Sequence, residues 1–458
     1  MKSINLAPPN PGTAAMRRKV FLGSFIGTAI EWYDFFIYGL AAALVLGELY
    51  FPTFDPAVGT LSAFAAFSVG FVARPLGGVV FSHFGDRVGR KSALVASLLL
   101  MGTATFLIGC LPTYETIGIA APICLVLLRF CQGFAVGGEW GGAVLMSVEH
   151  SLPHRRGLAG SFPQMGVPAG LVLASGAFIA LSPLSEQQFA SWGWRIPFLA
   201  SALLVVVGLV IRLGIAESPE FQDLRRRNGA LKSPAWTALR HNPKQVLLAA
   251  AMRQETTLFY VLVTFVVSYG TGQVGVTRDV MLNGTTIAAC VTFLTIPMFG
   301  ALSDRFGRRS IFRLGAAFAI VFPFPFFALV DTGEPWLIYL ALVIGLALVH
   351  ASMYGPQAAF FSELFGTEVR YSGASLGYQL GSVVGGLSPL IATTLIVAAD
   401  GSPLYVILYV AALQAVTFLG ATFAPETHRI SAATSPAGSG RDGIGERVNK
   451  HSPERSSD

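Results

Sequence analysis

The sequence predicts an all-α membrane protein with twelve transmembrane helices arranged as two pseudo-symmetric six-helix bundles. Three observations predict it: a composition too apolar for a water-facing surface, a dozen long apolar runs, and a charged motif repeated at a fixed offset. Of 458 residues, 53% are hydrophobic and 12% charged, with a mean hydropathy of +0.61. A soluble domain carries roughly twice that charged share. Apolar residues in this proportion must face lipid.

A spanning helix needs about 20 mostly apolar residues to cross roughly 30 Å of hydrocarbon. Such runs lie near 20–47, 57–81, 92–111, 119–147, 158–182 and 194–214. Six more lie near 245–270, 279–302, 310–330, 335–361, 371–398 and 403–424. Many contain Gly or Pro, which membrane helices tolerate when neighbours satisfy the freed backbone groups. Residues 1–19 form a polar tail ending in Arg17-Arg18-Lys19. The run after it is too long for a signal-peptide core, so it is expected to stay in the membrane. Residues 215–244 are the longest polar interruption and divide an N-terminal bundle, 20–214, from a C-terminal one, 245–424. From 425 to 458 the chain is rich in Ser, Gly and Arg without apolar periodicity, the pattern of a disordered tail.

Lys and Arg in short loops set orientation. With the N-terminus inside, the inner segments hold 26 of the 31 Lys and Arg residues. Arg74, Arg129 and Arg253 fall within spans, Arg195 at the outer start of span six and Arg278 in an outer loop. The asymmetry predicts a multi-pass protein of a bacterial inner membrane with both termini cytoplasmic.

Composition and motifs also narrow the function. The net charge of +6 is spread in clusters between apolar runs, with no broad basic face or RNA-reading aromatic motif, so no nucleic-acid partner is expected. Cys110, Cys124, Cys131 and Cys290 all lie in apolar segments without a CxxC pair, and read as small buried hydrophobes. No metal or cofactor is implied. The seven histidines are scattered, and no HExxH, nucleophile elbow or phosphate loop is present, which argues against an enzyme. A transporter-like sensor is a further alternative, but the tail is short and lacks heptads.

The repeat is visible directly. Gly85-Asp86-Arg87-Val88-Gly89-Arg90-Lys91 follows span two, and Ser303-Asp304-Arg305-Phe306-Gly307-Arg308-Arg309 follows span eight, 218 residues later. Glu149, Arg156 and Ser161 recur as Glu363, Arg370 and Ser375 at an offset of 214. Two six-span halves with matching inner loops are the pattern of parallel-repeat transporters.

These D-R-x-G-R-[RK] loops resemble the signature of the major facilitator superfamily. Further motifs look like its metabolite:proton symporter branch, which includes carriers of proline/betaine, α-ketoglutarate, citrate and shikimate. They are Gly27-x3-Glu31-Trp32-Tyr33-Asp34-Phe35, Arg74-Pro75-Leu76-Gly77-Gly78, Arg129-x2-Gln132-Gly133 and Gly137-Gly138-Glu139-Trp140. Trp194-Arg195-Ile196-Pro197-Phe198 and Glu217-Ser218-Pro219-Glu220-Phe221 complete the set, and the likeness runs from about 20 to 427. One departure is Ser82, where the first loop motif usually has Gly; the second copy keeps Gly300. The resemblance implies a monomeric secondary carrier of a small polar metabolite and protons.

Charges inside a bilayer are expensive and mark function by default. Glu31 and Asp34 are three apart and share a helical face with Gly27 and Tyr38. Two neighbouring carboxylates in a partly dry cavity should not both ionise easily, which is what a proton carrier requires. Arg129, Gln132, Val136 and Glu139 form one stripe of span four. Arg129 can pair with a span-one carboxylate or hold a substrate carboxylate by a bidentate bond; the resemblance implies a part in proton coupling.

In span seven, Arg253, Thr257, Tyr260 and Thr264 line one face while Glu255 points elsewhere. Arg253 either faces the cavity or snorkels to the interface. Tyr378, Gln379 and Ser382 share a face of span eleven, and Gln357 lies in span ten. Tyr38, Gln132, Glu139, Arg253, Tyr260, Gln357, Tyr378 and Gln379 are thus the substrate-binding candidates. The arginines tilt the substrate towards an organic acid, a mono-, di- or tricarboxylate, with a zwitterionic osmolyte as the alternative.

The paired loops read as gates. Asp86 and Asp304 are expected to accept from free N–H groups at a neighbouring helix N-terminus, where negative charge is favoured. Arg87 is matched with Glu149 and Arg305 with Glu363, with Arg90 and Arg308 completing the two motifs.

Overall fold

A computed structural model describes residues 14–52, 56–88, 90–137, 139–149, 151–213, 239–366 and 369–428. Nine helices in it are long and apolar enough to span a bilayer: α1 (Phe21–Tyr50), α2 (Val58–Phe81), α4 (Ala120–Glu149), α5 (Arg156–Ile179), α7 (Pro243–Val274), α8 (Arg278–Phe306), α10 (Pro335–Glu363), α11 (Ser372–Ala398) and α12 (Leu404–Phe423). Two further pairs of apolar helices pass the same test together and are bent at a break. In α6, Glu186–Gly193 meets Arg195–Val210 at 41°, and in α9, Arg308–Val321 meets Pro323–Val330 at 50°. The remaining apolar helix, α3 (Val95–Cys110), is shorter. Nine helices and two bent pairs thus fall at eleven of the twelve predicted segments, and the shorter α3 falls at the third. In α9 the bend falls where Pro323 starts the second piece, because Pro has no N–H to continue the ladder.

Large apolar side chains on the outer faces stay exposed, among them Leu127, Leu203, Leu247, Leu294, Phe318 and Phe423. That arrangement suits a hydrocarbon surround and no other solvent. Within the N-terminal half, α2 and α4 cross backbone to backbone. A Cβ on Gly133 would stand 1.8 Å from the Gly70 carbonyl oxygen, and one on Gly77 would stand 1.8 Å from that of Phe134. The small residues of the two span motifs are therefore a packing device, as membrane helix contacts favour.

The halves meet chiefly along α5 against α8 and α2 against α11, with α10 also packed on α5. A cross-half contact stands at each end of the α5–α8 seam. Ser182 Oγ donates to Asp279 Oδ1 at 2.6 Å at one end. At the other, Asp304 receives two N–H groups of α5.

Most of 215–244 and of the tail lies outside the described residues. The tail's first residues do not. Glu426 accepts from the backbone N–H of Arg308 at 2.9 Å and of Arg309 at 3.2 Å, and Thr427 Oγ1 donates to Glu363 Oε2 at 2.6 Å. The ordered structure thus runs beyond the predicted boundary at 425, because Glu426 satisfies the open N–H groups at the start of α9.

Candidate functional site

Two polar clusters lie in the bundle interior, one in each half, with an aromatic layer between them. In the N-terminal half, Asp34 is fully buried on α1. The Thr105 hydroxyl of α3 bonds its Oδ2 at 3.2 Å, while Oδ1 has no hydrogen-bond partner. Gln132 Nε2 donates to Thr105 Oγ1 at 2.8 Å and to the Asp34 carbonyl at 3.2 Å. Arg129 Nη1 in turn donates to Gln132 Oε1, and its Nε donates to the Phe67 carbonyl at 3.2 Å.

The direct pair considered between Arg129 and a span-one carboxylate is therefore replaced, for Asp34, by a chain through Gln132 and Thr105. Asp34 points to α3 within its own half, so its partner is a threonine that the helical pattern of α1 gives no means to find. Glu31 and Glu139 are also buried.

Arg129 lies 4.1 Å from the Phe35 ring centroid, 4.5 Å from Tyr38 and 4.7 Å from Phe67. Arg74, equally buried, lies 4.6 Å from Phe35 and 4.5 Å from Phe71. Arg129 Nη2 and Arg74 Nε have no hydrogen-bond partner. Tyr260 of α7 closes this layer from the other half, its ring 5.0 Å from Phe71 and its hydroxyl unpartnered.

The second cluster centres on Arg253 and Glu255, both buried. Arg253 Nη1 pairs with Glu255 Oε1, Nη2 donates to Tyr378 Oη at 2.7 Å, and Nε donates to Ser382 Oγ at 3.1 Å. Gln357 Nε2 donates to Glu255 Oε1 at 2.9 Å. His350 Nε2 stands 2.8 Å from Glu255 Oε2.

This corrects the expectation that Glu255 points elsewhere. Residues two apart on a regular helix do not face each other. Here the helix from Pro243 stops at Met252 and a new one starts at Glu255, so the backbone turns between them and brings the two side chains together. His350 closes a π-helical stretch, Ile344–His350, in α10. Such local departures from α geometry are frequent at functional sites.

Side chains from the two halves also touch here. Trp140 stacks on Tyr378 with 3.8 Å between ring centroids, and Gln379 Nε2 donates to the Gly137 carbonyl at 2.8 Å. Trp140 Nε1 donates to Gln164 Oε1 at 3.2 Å, and Gln164 Nε2 reaches the Tyr354 carbonyl at 3.4 Å. Of the predicted substrate set, Tyr38 and Gln132 lie with Arg129 in the first cluster. Gln357 and Tyr378 lie with Arg253 in the second, Tyr260 lies between them, and Gln379 ties α11 to α4. Thr105, Trp140, Gln164, Glu255 and His350 are the additions; a tryptophan and a histidine inside spans were the available signals.

At the motif-bearing end, Asp304 Oδ1 accepts the Gly157 N–H at 2.8 Å and Oδ2 that of Leu158 at 2.9 Å, at the N-terminus of α5. Arg308 Nη1 donates to Asp304 Oδ1 at 2.7 Å, and Arg308 Nε reaches Glu363 Oε2 at 3.3 Å. The guanidinium on Glu363 is thus that of Arg308, where Arg305 was expected. Arg305 lies on the exposed side, 5.3 Å from the Phe306 ring, whereas Arg308 opens α9 after the left-handed turn at Gly307 (φ 97°) and is turned inward. The side chains of Asp86, Arg87 and Arg90 lie outside the described residues; Glu149 is exposed at the end of α4.

Two helical halves enclosing buried charge, with nothing resembling a catalytic constellation among the described residues, define a membrane carrier. The chain belongs to the Major Facilitator Superfamily, whose family profile matches residues 24–389. It is a metabolite transporter of that superfamily, and its relatives carry such names. It is 42% identical to the inner membrane metabolite transport protein YhjE of Escherichia coli K12 over 91% of this chain and 96% of that one. It is 44% identical to the shikimate transporter of the same organism, over 85% and 90%. Identity to the E. coli K12 proline/betaine transporter is 34%, over 92% and 86%. Among solved structures, the proton:xylose symporter XylE bound to 6-bromo-6-deoxy-D-glucose matches with a TM-score of 0.72 at 16% identity, covering 92% of this chain and all of that one. That likeness shows the fold alone.

Proposed function

We propose that this chain is a proton-coupled symporter of an organic acid, working by alternating access in an inner membrane with both termini cytoplasmic. The observation that carries the substrate class is a pair of buried guanidiniums, each with a nitrogen left open. Arg74 Nε and Arg129 Nη2 are buried without a hydrogen-bond partner, while Arg253 is held by Glu255. A substrate carboxylate supplies what these guanidiniums lack, by bidentate hydrogen bonds. A betaine fits less well. Its ammonium would seek aromatic faces, and Arg74 and Arg129 already lie over those of Phe35, Phe67 and Phe71.

Asp34 supports the proton part, being buried with one oxygen unbonded and linked through Thr105 and Gln132 to Arg129. An anion on Arg129 changes the charge that Asp34 feels, which couples the two ligands. The contacts of Asp304, Arg308 and Glu363 act as the inner gate and break as the halves rock, and the carrier works as a monomer.

The test uses purified protein in proteoliposomes with labelled shikimate, citrate, α-ketoglutarate, proline and glycine betaine. The expected result is accumulation of an acid only under an inward proton gradient, collapsed by a protonophore. Uptake indifferent to the protonophore, or of glycine betaine alone, sinks the reading.

A further inference from the structure

His350 is not used by the mechanism above, yet its surroundings are those of a working group. The ring is buried, with Nε2 2.8 Å from Glu255 Oε2. Its Nδ1 is buried without any hydrogen-bond partner. The ring borders a cavity with room for about one water molecule, walled by Val167, Leu171, Phe259, Thr292 and Tyr354. Val167 and Leu171 belong to α5 of the other half, so the cavity lies on the seam between the halves.

Groups from several elements surround this ring. From α7 come Glu255, and behind it Arg253 and Tyr260; from α10 itself, Tyr354, its ring 5.0 Å away. From α11, Tyr378 reaches Arg253. The cavity residues of α5 and α8 include no ionisable group, and α9 meets α10 here through Gly315 beside Ser352. Glu255 is the carboxylate 2.8 Å from the imidazole, and it is shared with Arg253.

We propose that His350 and Glu255 form a second proton-binding site, in the C-terminal half, whose occupancy decides whether Arg253 is available to the substrate anion. This deepens the symport reading and rests on it. With Nδ1 unprotonated, Arg253 is the single cation that Glu255 faces. A proton taken up at Nδ1 makes an imidazolium beside Oε2, and Glu255 then shares its charge between two cations. Arg253 is loosened and can turn to the substrate carboxylate. Once the halves rock and the substrate leaves, Arg253 reclaims Glu255 and the proton departs from Nδ1 to the side now open. One proton enters with the anion and one leaves with it.

Two measurements test this on the full-length protein. In nitrogen-15 histidine NMR, the His350 ring, identified by its loss in His350→Gln, is expected to interconvert between neutral and doubly protonated forms as pH is varied, and to stop doing so in Glu255→Gln. A ring that keeps one neutral tautomer at every pH at which the protein stays folded overturns the proposal.

In proteoliposomes with labelled shikimate, or the acid selected by the panel above, His350→Gln is expected to lose gradient-driven accumulation at least tenfold. Substrate exchange without a gradient is expected to fall with it, since a neutral Gln leaves Arg253 held by Glu255. Gradient-driven accumulation retained by His350→Gln overturns the His350 assignment alone. Should that variant fold poorly, His350→Asn and the wild-type NMR titration decide in its place. Wild-type uptake that ignores the gradient overturns the symport reading, and this site with it.

Discussion

Trp140 of α4 and Tyr378 of α11 stack almost parallel, 3.8 Å apart and 14° between planes, and the same tyrosine accepts a hydrogen bond from Arg253. One ring therefore joins the two halves and fixes a buried guanidinium.

That double role separates two substitutions. Tyr378→Phe keeps the stack and removes the acceptor, leaving an Arg253 nitrogen unsatisfied; hydrogen bonds to charged groups contribute about 1.5–3 kcal/mol. Uptake kinetics are expected to show KM raised roughly ten- to a hundredfold. Trp140→Ala removes the stack and the donor to Gln164 but leaves the Arg253 contact, and thermal unfolding should report a larger loss of stability than Tyr378→Phe causes.

Asp304 neutralises the α5 N-terminus and Arg308 together. Asp304→Asn keeps the shape and loses the charge, at about 1–2 kcal/mol for the helix-end interaction alone. Spin labels on the motif-bearing ends of α5 and α8 should move apart, with gradient-driven uptake reduced. An unchanged distance distribution would remove Asp304 from gating.

Glu426 makes a sharp prediction about the tail. Glu426→Ala frees the N–H groups of Arg308 and Arg309 and is expected to lower stability by about 1 kcal/mol, a typical loss for a helix-start acceptor. Truncation after residue 428 should leave the melting temperature and uptake unchanged, whereas truncation after 424 should lower both.

Gly133→Ala tests the α2–α4 crossing. Its methyl would meet the Gly70 carbonyl at 1.8 Å, so backbones rather than side chains must move. Overpacking of this kind costs about 1–3 kcal/mol or more. Size-exclusion chromatography is expected to show little monodisperse protein.

Much of this was legible beforehand. The apolar runs give the helices because the hydrocarbon core leaves few alternatives, and the repeated motif gives the two halves. Asp304 could be matched with a helix N-terminus because that interaction depends on one acidic side chain and a general property of helix ends. Arg253 and Tyr378 could be named, but not joined, since 125 residues separate them. Glu255 was misread because an unbroken helix was assumed through residues 252–255. His350 is one of seven scattered histidines in the sequence, and its partner Glu255 comes from another span.

The sequence by itself determined that this chain crosses a membrane repeatedly, in two related halves, with ionisable groups held inside; those follow from composition and period, which are local. Tertiary structure alone decided which charge meets which. Asp34 turns to Thr105 and Arg308 takes Glu363. Glu255 lies between Arg253 and His350. The reason is that buried pairing depends on helix rotation and on breaks in the backbone, set by how twelve helices pack, and a few tens of degrees about one axis is enough to exchange partners.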